Sequence, residues 1–477
     1  MVATTAMLSF ISFWRAAAIV LNDLASSAFY AGGIAEVAIG KAAPWFILAV
    51  MLFAYAVCQM YVESCSMFVR GGVYRVVKEA MGGTLAKFSV SALMFDYILT
   101  GPISGVSAGQ YLVGFLNELL HYAKLNIILP TNATAAVFAV VVTLYFWWEN
   151  TKGIHESSEK AVRIMELTTI LVVLMIGWCA YTLWVRGGHL PPWPKPGNLH
   201  FNPEAEGWLR ATHLPEVIGV VGILVAFGHS VLAMSGLETL AQVYREIEAP
   251  KLPNLKKTAF IIFVYSLVFT SLVSFFAVMI IPDRIRLNFK DNLIGGLAMH
   301  VAGALPLRLV FHAFVVVVGV MILSGAVNTA IVGSNGVLNR VSEDGVLTDW
   351  FRHPHPRFGT SHRIINLVVG LQLLVILLSG GNVILLGEAY AFGVIWSFAM
   401  KGLAVLILRY TEPGPREFRV PLNLSIGGFE IPIGLGLITL TRCSPPRSSI
   451  FSPSGWQRPP ASSLRRSFTE FSPLRKG

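Results

Sequence analysis

Apolar runs of about 20 residues recur along the 477-residue chain, and they restrict its fold more than any other feature. A helix of that length crosses the hydrocarbon core of a bilayer, and the period-two alternation of a membrane barrel is missing. Only 13% of the residues are charged, against about 25% in a soluble chain. In lipid each backbone N–H and C=O has to be satisfied within the segment, so helices are the spanning element. These facts predict an all-α polytopic membrane protein in a lipid bilayer. No basic patch with interleaved aromatics points to nucleic acid. No His/Cys spacing suits a metal centre and no catalytic triad is present, so neither an enzyme nor a cofactor is expected.

About eleven spans are predicted. They cover 12–38, 43–68, 88–117, 131–149, 161–186, 216–243, 258–281, 306–337, 363–380 and 383–409, and an eleventh starts near Ile431 and stops near Leu440. Pro282-Asp283 reads as the turn that closes the seventh. With an internal N-terminus, one set of loops carries Arg70, Arg75, Lys78, Lys152, Arg245, Lys251, Arg340, Arg357, Arg409 and Arg416 among others. That face holds roughly twice the basic residues of the other, the bias of cytoplasmic loops. The expected location is the cell membrane, multi-pass, with the N-terminus cytoplasmic. Asp23 and the lack of a small-residue cleavage site make the first run a span rather than a cleaved signal. Cys58, Cys65, Cys179 and Cys443 show no pairing pattern and read as small hydrophobes.

The formal charge of +10 is misleading. Much of it comes from the Ser/Pro/Arg-rich stretch from Thr441 onward, which has no apolar periodicity. Two units follow: a membrane domain, 1–440, and a tail, 441–477. The apolar run after Gly434-Leu435-Gly436 is too short for a full span. The tail is therefore expected to be a frame-shifted reading, with a disordered cytoplasmic segment as the alternative.

Three polar clusters interrupt the apolar runs. They are Asp23 with Ser26, Ser27 and Tyr30; Asp96 with Tyr97 and Thr100; and Ser235-Gly236-Leu237-Glu238. A carboxylate at mid-helix disfavours insertion by about 2.5–3.5 kcal/mol, so three of them suggest a site for a positively charged ligand. Each has a plainer explanation. Asp23 can cap a helix end, and the two serines can bond back to their own helix. Asp96 and Thr100, four apart, can form an intrahelical network. Glu238 can snorkel to the interface. His229 is a lone membrane histidine, a type more often hydrogen-bonded than proton-carrying. Tyr390, in Glu388-Ala389-Tyr390-Ala391-Phe392-Gly393, is either a belt aromatic or a hydroxyl facing the site. Gly101-Pro102 predicts a bend in the third span, and Gly105 and Gly109 a close-packed surface. Spans one and six both carry small or polar residues near mid-membrane, the mark of interrupted helices in a transporter of inverted repeats.

Ser235-Gly236-Leu237-Glu238, Glu246-Ile247-Glu248-Ala249-Pro250-Lys251, Gly71-Gly72-Val73-Tyr74 and Arg416-Glu417-Phe418-Arg419-Val420-Pro421 together resemble the amino acid–polyamine–organocation (APC) superfamily over about residues 10–440. That resemblance implies the APC/LeuT-type five-plus-five inverted repeat, with spans one and six broken, here incomplete or divergent at its C-terminus. Within the superfamily, Asp23, Ser26, Ser27 and Tyr30, the Asp96-Tyr97-x-x-Thr100 run, Ser235-Gly236-Leu237-Glu238 and Tyr390 to Val394 are similar to the motifs of KimA-type potassium–proton symporters, relatives of the KUP family. The likeness implies ion binding by Asp23, Tyr30, Tyr97, Thr100, Ser235 and Tyr390, with potassium at Asp23, Tyr30, Thr100 and Ser235. Asp96 and Glu238 would lie on the proton pathway. Ser235 stands where that family has threonine, keeping the hydroxyl, and the family's large soluble C-terminal region is missing or scrambled. A homodimer is among the assemblies the likeness allows.

The expected function is proton-coupled uptake of a monovalent cation, potassium, by alternating access. An ionised Asp23 would repel a substrate carboxylate in a low-dielectric site, whereas hydroxyl and carbonyl oxygens can replace a cation's water. Two other readings stand beside it: an amino acid or amine permease of the same fold, and a non-transporting sensor or inactive truncated product.

Overall fold

A computed structural model describes residues 10–68, 72–125, 127–153, 158–195, 199, 219–412, 414, 416–426 and 429–442. Among the described residues, eight stretches are long and apolar enough to cross a membrane. One of them, Phe13–Met67, contains both of the first two passes, since the chain turns back at Gly40–Ala42. The third pass lies in Val73–Tyr122, whose Ser, Gly and Asp content lowers its hydropathy. The described residues thus make ten passes and begin an eleventh. Spans four to ten are Thr131–Lys152, Ser158–Arg186, the interrupted Gly219–Glu246, Lys251–Ile280, Leu305–Glu343, His362–Ser379 and Val383–Thr411.

Local chemistry sets the ends. Pro44 opens span two, where its missing N–H costs nothing. Gly153 and Gly380 close spans four and nine in the left-handed conformation. The Asn382 side chain accepts from the amides of Ile384 and Leu385 at the start of span ten. Gly105 and Gly109 let span three lie directly against span four, where a Cβ on Gly109 would stand 2.6 Å from the Ala135 α-carbon. Cys58, Cys65 and Cys179 are buried, and none of them is in a disulfide among the described residues.

Two details correct the sequence reading. The chain keeps helical dihedrals through Gly101-Pro102, and the break in Val73–Tyr122 falls at Gly82, φ +83°. Only glycine adopts that conformation without strain. The helix of the eleventh span does not start near Ile431. Phe429–Pro432 pairs antiparallel with Asn423–Ile426 as a hairpin, and the helix begins at Ile433 and runs to Arg442. Such short strands leave little periodicity to read. The stretch from 443 onward, with Cys443, lies outside the described residues, as do Arg70 and Gly71.

Two ion clusters fasten the basic face. Glu63 of span two is fully buried. Its Oε1 accepts from Arg409 and Arg416, both at 2.8 Å, and its Oε2 from Arg409 at 2.6 Å and the Val420 amide at 2.7 Å. At the end of span eight, Lys78 donates to Asp344 at 2.6 Å. Burial opposes ionisation of Asp344, but hydrogen bonds from Lys78 and Tyr74, with the charges of Arg340 and Lys78, outweigh it and hold the carboxyl below its ordinary value. A depressed carboxyl stabilises the fold above its unfolded pKa and stops doing so as the pH falls through its folded one. The thermal-midpoint gap between wild type and Asp344→Asn is therefore expected to stay level around neutrality. It should close only below the usual carboxylate range, as thermal scans across pH would show.

Candidate functional site

Span one is built in three pieces: the helix Phe13–Leu24, a 3₁₀ turn Ala25–Phe29 and the helix Ala31–Ile39. The serines explain the turn. The Ser26 hydroxyl donates to the Asp23 carbonyl at 2.6 Å and Ser27 to the Leu24 carbonyl at 2.7 Å, competing with the helical ladder. Back-bonding is thus present, but Ser27 also lies 2.9 Å from the Ala233 carbonyl of span six.

Span six is interrupted at the same depth. Gly219–Ser230 gives way to a 3₁₀ turn, Val231–Met234, and the chain resumes helix at Thr239–Val243. Gly236 between them takes φ +93° and is pressed against span one. A Cβ there would stand 2.7 Å from the Leu24 amide nitrogen and 2.9 Å from the Asp23 carboxyl carbon. The two breaks therefore touch, and the glycine is what lets them.

Around this contact the structure gathers most of the expected residues. The Tyr30 hydroxyl reaches Ser235 Oγ at 3.5 Å, and Ser235 Oγ hydrogen-bonds the Tyr390 hydroxyl of span ten. The Tyr390 hydroxyl lies 2.8 Å from Thr100 Oγ1, which donates to the Asp96 carbonyl at 3.0 Å. Four hydroxyls from spans one, six, ten and three thus form one continuous buried chain. Gly393 makes room for span ten, since a Cβ there would stand 3.1 Å from the Asp96 amide nitrogen.

The carboxylates flank this chain. Asp23, 1% exposed, accepts from Thr239 Oγ1 at 2.8 Å through Oδ2, while its Oδ1 has no hydrogen-bond partner among the described residues. Asp96 sits beside the Tyr390 and Thr100 hydroxyls, yet neither of its side-chain oxygens makes a well-formed hydrogen bond. Buried polar atoms are nearly always paired, so these oxygens are exceptions that packing alone does not explain.

Tyr97 and Glu238 do not join the hydroxyl chain. Tyr97 packs its ring against Gly333 of span eight, and both residues line a cavity of about 700 Å³. Tyr74, Arg75, Arg245 and Arg340 also line it, which makes it a vestibule on the basic face. Glu238 is 3% exposed, so it does not snorkel, and neither carboxylate oxygen makes a well-formed hydrogen bond among the described residues. His229 is buried at the end of Gly219–Ser230.

Two residues escaped the sequence reading. Thr239, the partner of Asp23, directly follows Glu238, and a hydroxyl beside an acid in an interrupted span was its signal. Ser104 lies one turn beyond Thr100 on the same face, buried, its hydroxyl without a partner among the described residues.

A bundle with two broken helices in contact, buried acids at the breaks and a vestibule on one face is the architecture of a secondary transporter. The amino acid permease family model matches residues 11–441, and the chain belongs to that family, within the APC superfamily. The comparison with curated proteins finds no match.

Proposed function

We propose that the chain moves a monovalent cation, potassium, coupled to protons, in the manner of KimA-type symporters. The observation that carries this reading is the hydroxyl chain Tyr30–Ser235–Tyr390–Thr100 flanked by Asp23 and Asp96. Hydroxyl oxygens can turn their lone pairs inward and a carboxylate supplies charge, which together replace a cation's hydration shell. Substrate contacts are assigned to Asp23, Tyr30, Thr100, Ser235 and Tyr390. Tyr97 would act at the exit to the vestibule rather than in the cluster. Asp96 and Glu238 are the proposed proton carriers, since a proton on either offsets the charge of the ion. Glu238 lines the vestibule, and the charges of Asp96 and Asp23 bear on it.

The second reading is an amino acid or amine permease, which fits the family match equally and whose cationic amine would satisfy the same acids. Purified protein in liposomes separates the two. Potassium uptake driven by a proton gradient, unaffected by excess amino acids, supports the first reading; labelled amino acid uptake without potassium supports the second. In the same assay Tyr390→Phe is expected to raise the half-saturating potassium concentration about tenfold. It leaves Ser235 and Thr100 without their shared partner, a loss of about 1–3 kcal/mol.

A further inference from the structure

Spans four and nine meet at one edge of the basic face, and the surface chemistry there is distinctive. Span four turns Val137, Val141, Leu144 and Trp148 outward at helical spacing. Lys152 follows one turn later, its Nζ 3.9 Å from the centroid of the Trp148 ring. Span nine repeats the arrangement in the opposite chain direction. Its exposed stripe of Leu378, Leu374 and Leu367 leads back to Arg363, whose guanidinium carbon lies 4.3 Å from the centroid of the Trp350 ring. Trp350 belongs to the 3₁₀ helix Asp349–Arg352, in the loop between spans eight and nine. The two ends are tied together. Thr360 of that loop donates to the Thr151 carbonyl at 2.7 Å, and Trp147 Nε1 donates to Asn366 Oδ1 at 2.7 Å.

A third cation, Arg357, stacks on Phe358 of the same loop, 5.4 Å from the ring centroid. Among the described residues none of these three cations pairs with a carboxylate. Arg363 gives one donor to the Trp350 carbonyl at 2.6 Å. The neighbouring acids are engaged elsewhere: Asp349 lies 3.7 Å from Arg352, and Glu149 accepts from Tyr145 at 3.0 Å.

Trp148 is 46% exposed and Trp350 56%. A tryptophan half exposed at the end of an apolar stripe suits the headgroup level of a bilayer, where one side of its ring is apolar and its N–H is wet. Stacking on the ring fixes where the cation stands and does not neutralise it. A guanidinium so placed keeps in-plane N–H donors for an oxygen ligand, and an ammonium has three donors. The complement of such an edge is a molecule negative at the headgroup and apolar along the spans.

We propose that Lys152, Arg357 and Arg363, with Trp148 and Trp350, hold the headgroup of an anionic phospholipid from the leaflet on the basic face. Its acyl chains lie along spans four and nine. The occupant is a lipid rather than free phosphate because two of the cations continue the exposed apolar stripes of the spans.

The test needs no transport. The full chain is reconstituted in phosphatidylcholine vesicles containing brominated phosphatidylglycerol. Tryptophan quenching is read with and without Trp350→Phe, so that the difference reports on this edge, and brominated phosphatidylcholine is the comparison. Each cation beside an anionic headgroup contributes about fivefold in affinity. The edge is therefore expected to prefer phosphatidylglycerol by about tenfold or more, and Lys152→Gln/Arg357→Gln/Arg363→Gln should bring the preference close to one. An unchanged preference in that variant would overturn the proposal, as would equal quenching by the two lipids in the wild type. Equal loss in Lys251→Gln/Lys257→Gln, at the start of span seven, would overturn the site in favour of the charge of the whole face. Displacement by millimolar glycerol phosphate would overturn a lipid as the occupant. Where the triple variant does not fold, Lys152→Gln/Arg357→Gln carries the test and should lose at least about fivefold in preference. Neither of those side chains makes a hydrogen bond among the described residues.

Discussion

An Asp23→Asn variant is expected to reach the membrane in normal amount and to lose about a hundredfold in potassium uptake. The exchange is nearly isosteric. The amide oxygen still accepts from Thr239, so the contact between spans one and six survives. What disappears is the negative charge whose second oxygen, Oδ1, faces no protein partner among the described residues. Losing one member of a desolvated charge pair with the bound ion costs about 2–5 kcal/mol, and ~2.8 kcal/mol is a hundredfold. Growth of a potassium-uptake-deficient strain at limiting potassium is the measurement, with uptake in liposomes beside it. Full rescue by Asp23→Asn would remove Asp23 from the ion site. A well-expressed wild type that fails to rescue would sink the potassium reading and turn attention to labelled amino acids.

Gly236→Ala should be as damaging for a different reason. At φ +93° an alanine is already strained by about 1–2 kcal/mol. Its methyl group would also have to displace backbone, the Leu24 amide at 2.7 Å, together with the Asp23 carboxyl. The two broken spans would then part, carrying Asp23 away from Thr239 and Tyr30 away from Ser235. Transport is expected to fall below detection, with a drop of several degrees in the thermal midpoint of the purified protein. Gly336, whose added Cβ would meet nothing within 4 Å, is the control, and Gly336→Ala should be close to silent. Normal transport by Gly236→Ala would show that the breaks need not touch.

The spans were legible because lipid imposes one rule on every segment, and an apolar run of sufficient length satisfies it almost by itself. Span two, read as 43–68, is Ala43–Met67, and span nine, read as 363–380, is His362–Ser379. The acidic motifs were legible for the converse reason, as Asp23 and Asp96 are costly where they stand. Pairings across spans were not. Nothing near Asp23 in the chain points to Thr239, which is 216 residues away. Tyr97 was grouped with Thr100 because they are neighbours on a helix, yet one faces the vestibule and the other the hydroxyl chain. Periodicity gives relative direction around a helix but not which neighbour lies there. The break at Gly82 carried only a glycine pair as its signal, and the Asp344 contact joins segments with no local relation.

Glu63 has a consequence for how the bundle is held together. Span two belongs to the first five-helix repeat and span ten to the second, yet one carboxylate binds the end of span ten, the loop beyond it and span two through four hydrogen bonds. Charge-assisted bonds to a fully buried carboxylate are among the stronger ones a fold makes, so the inner ends of spans two and ten are fastened to each other here. The tie crosses the boundary between the repeats, and duplicated sequence is no guide to which helices are joined.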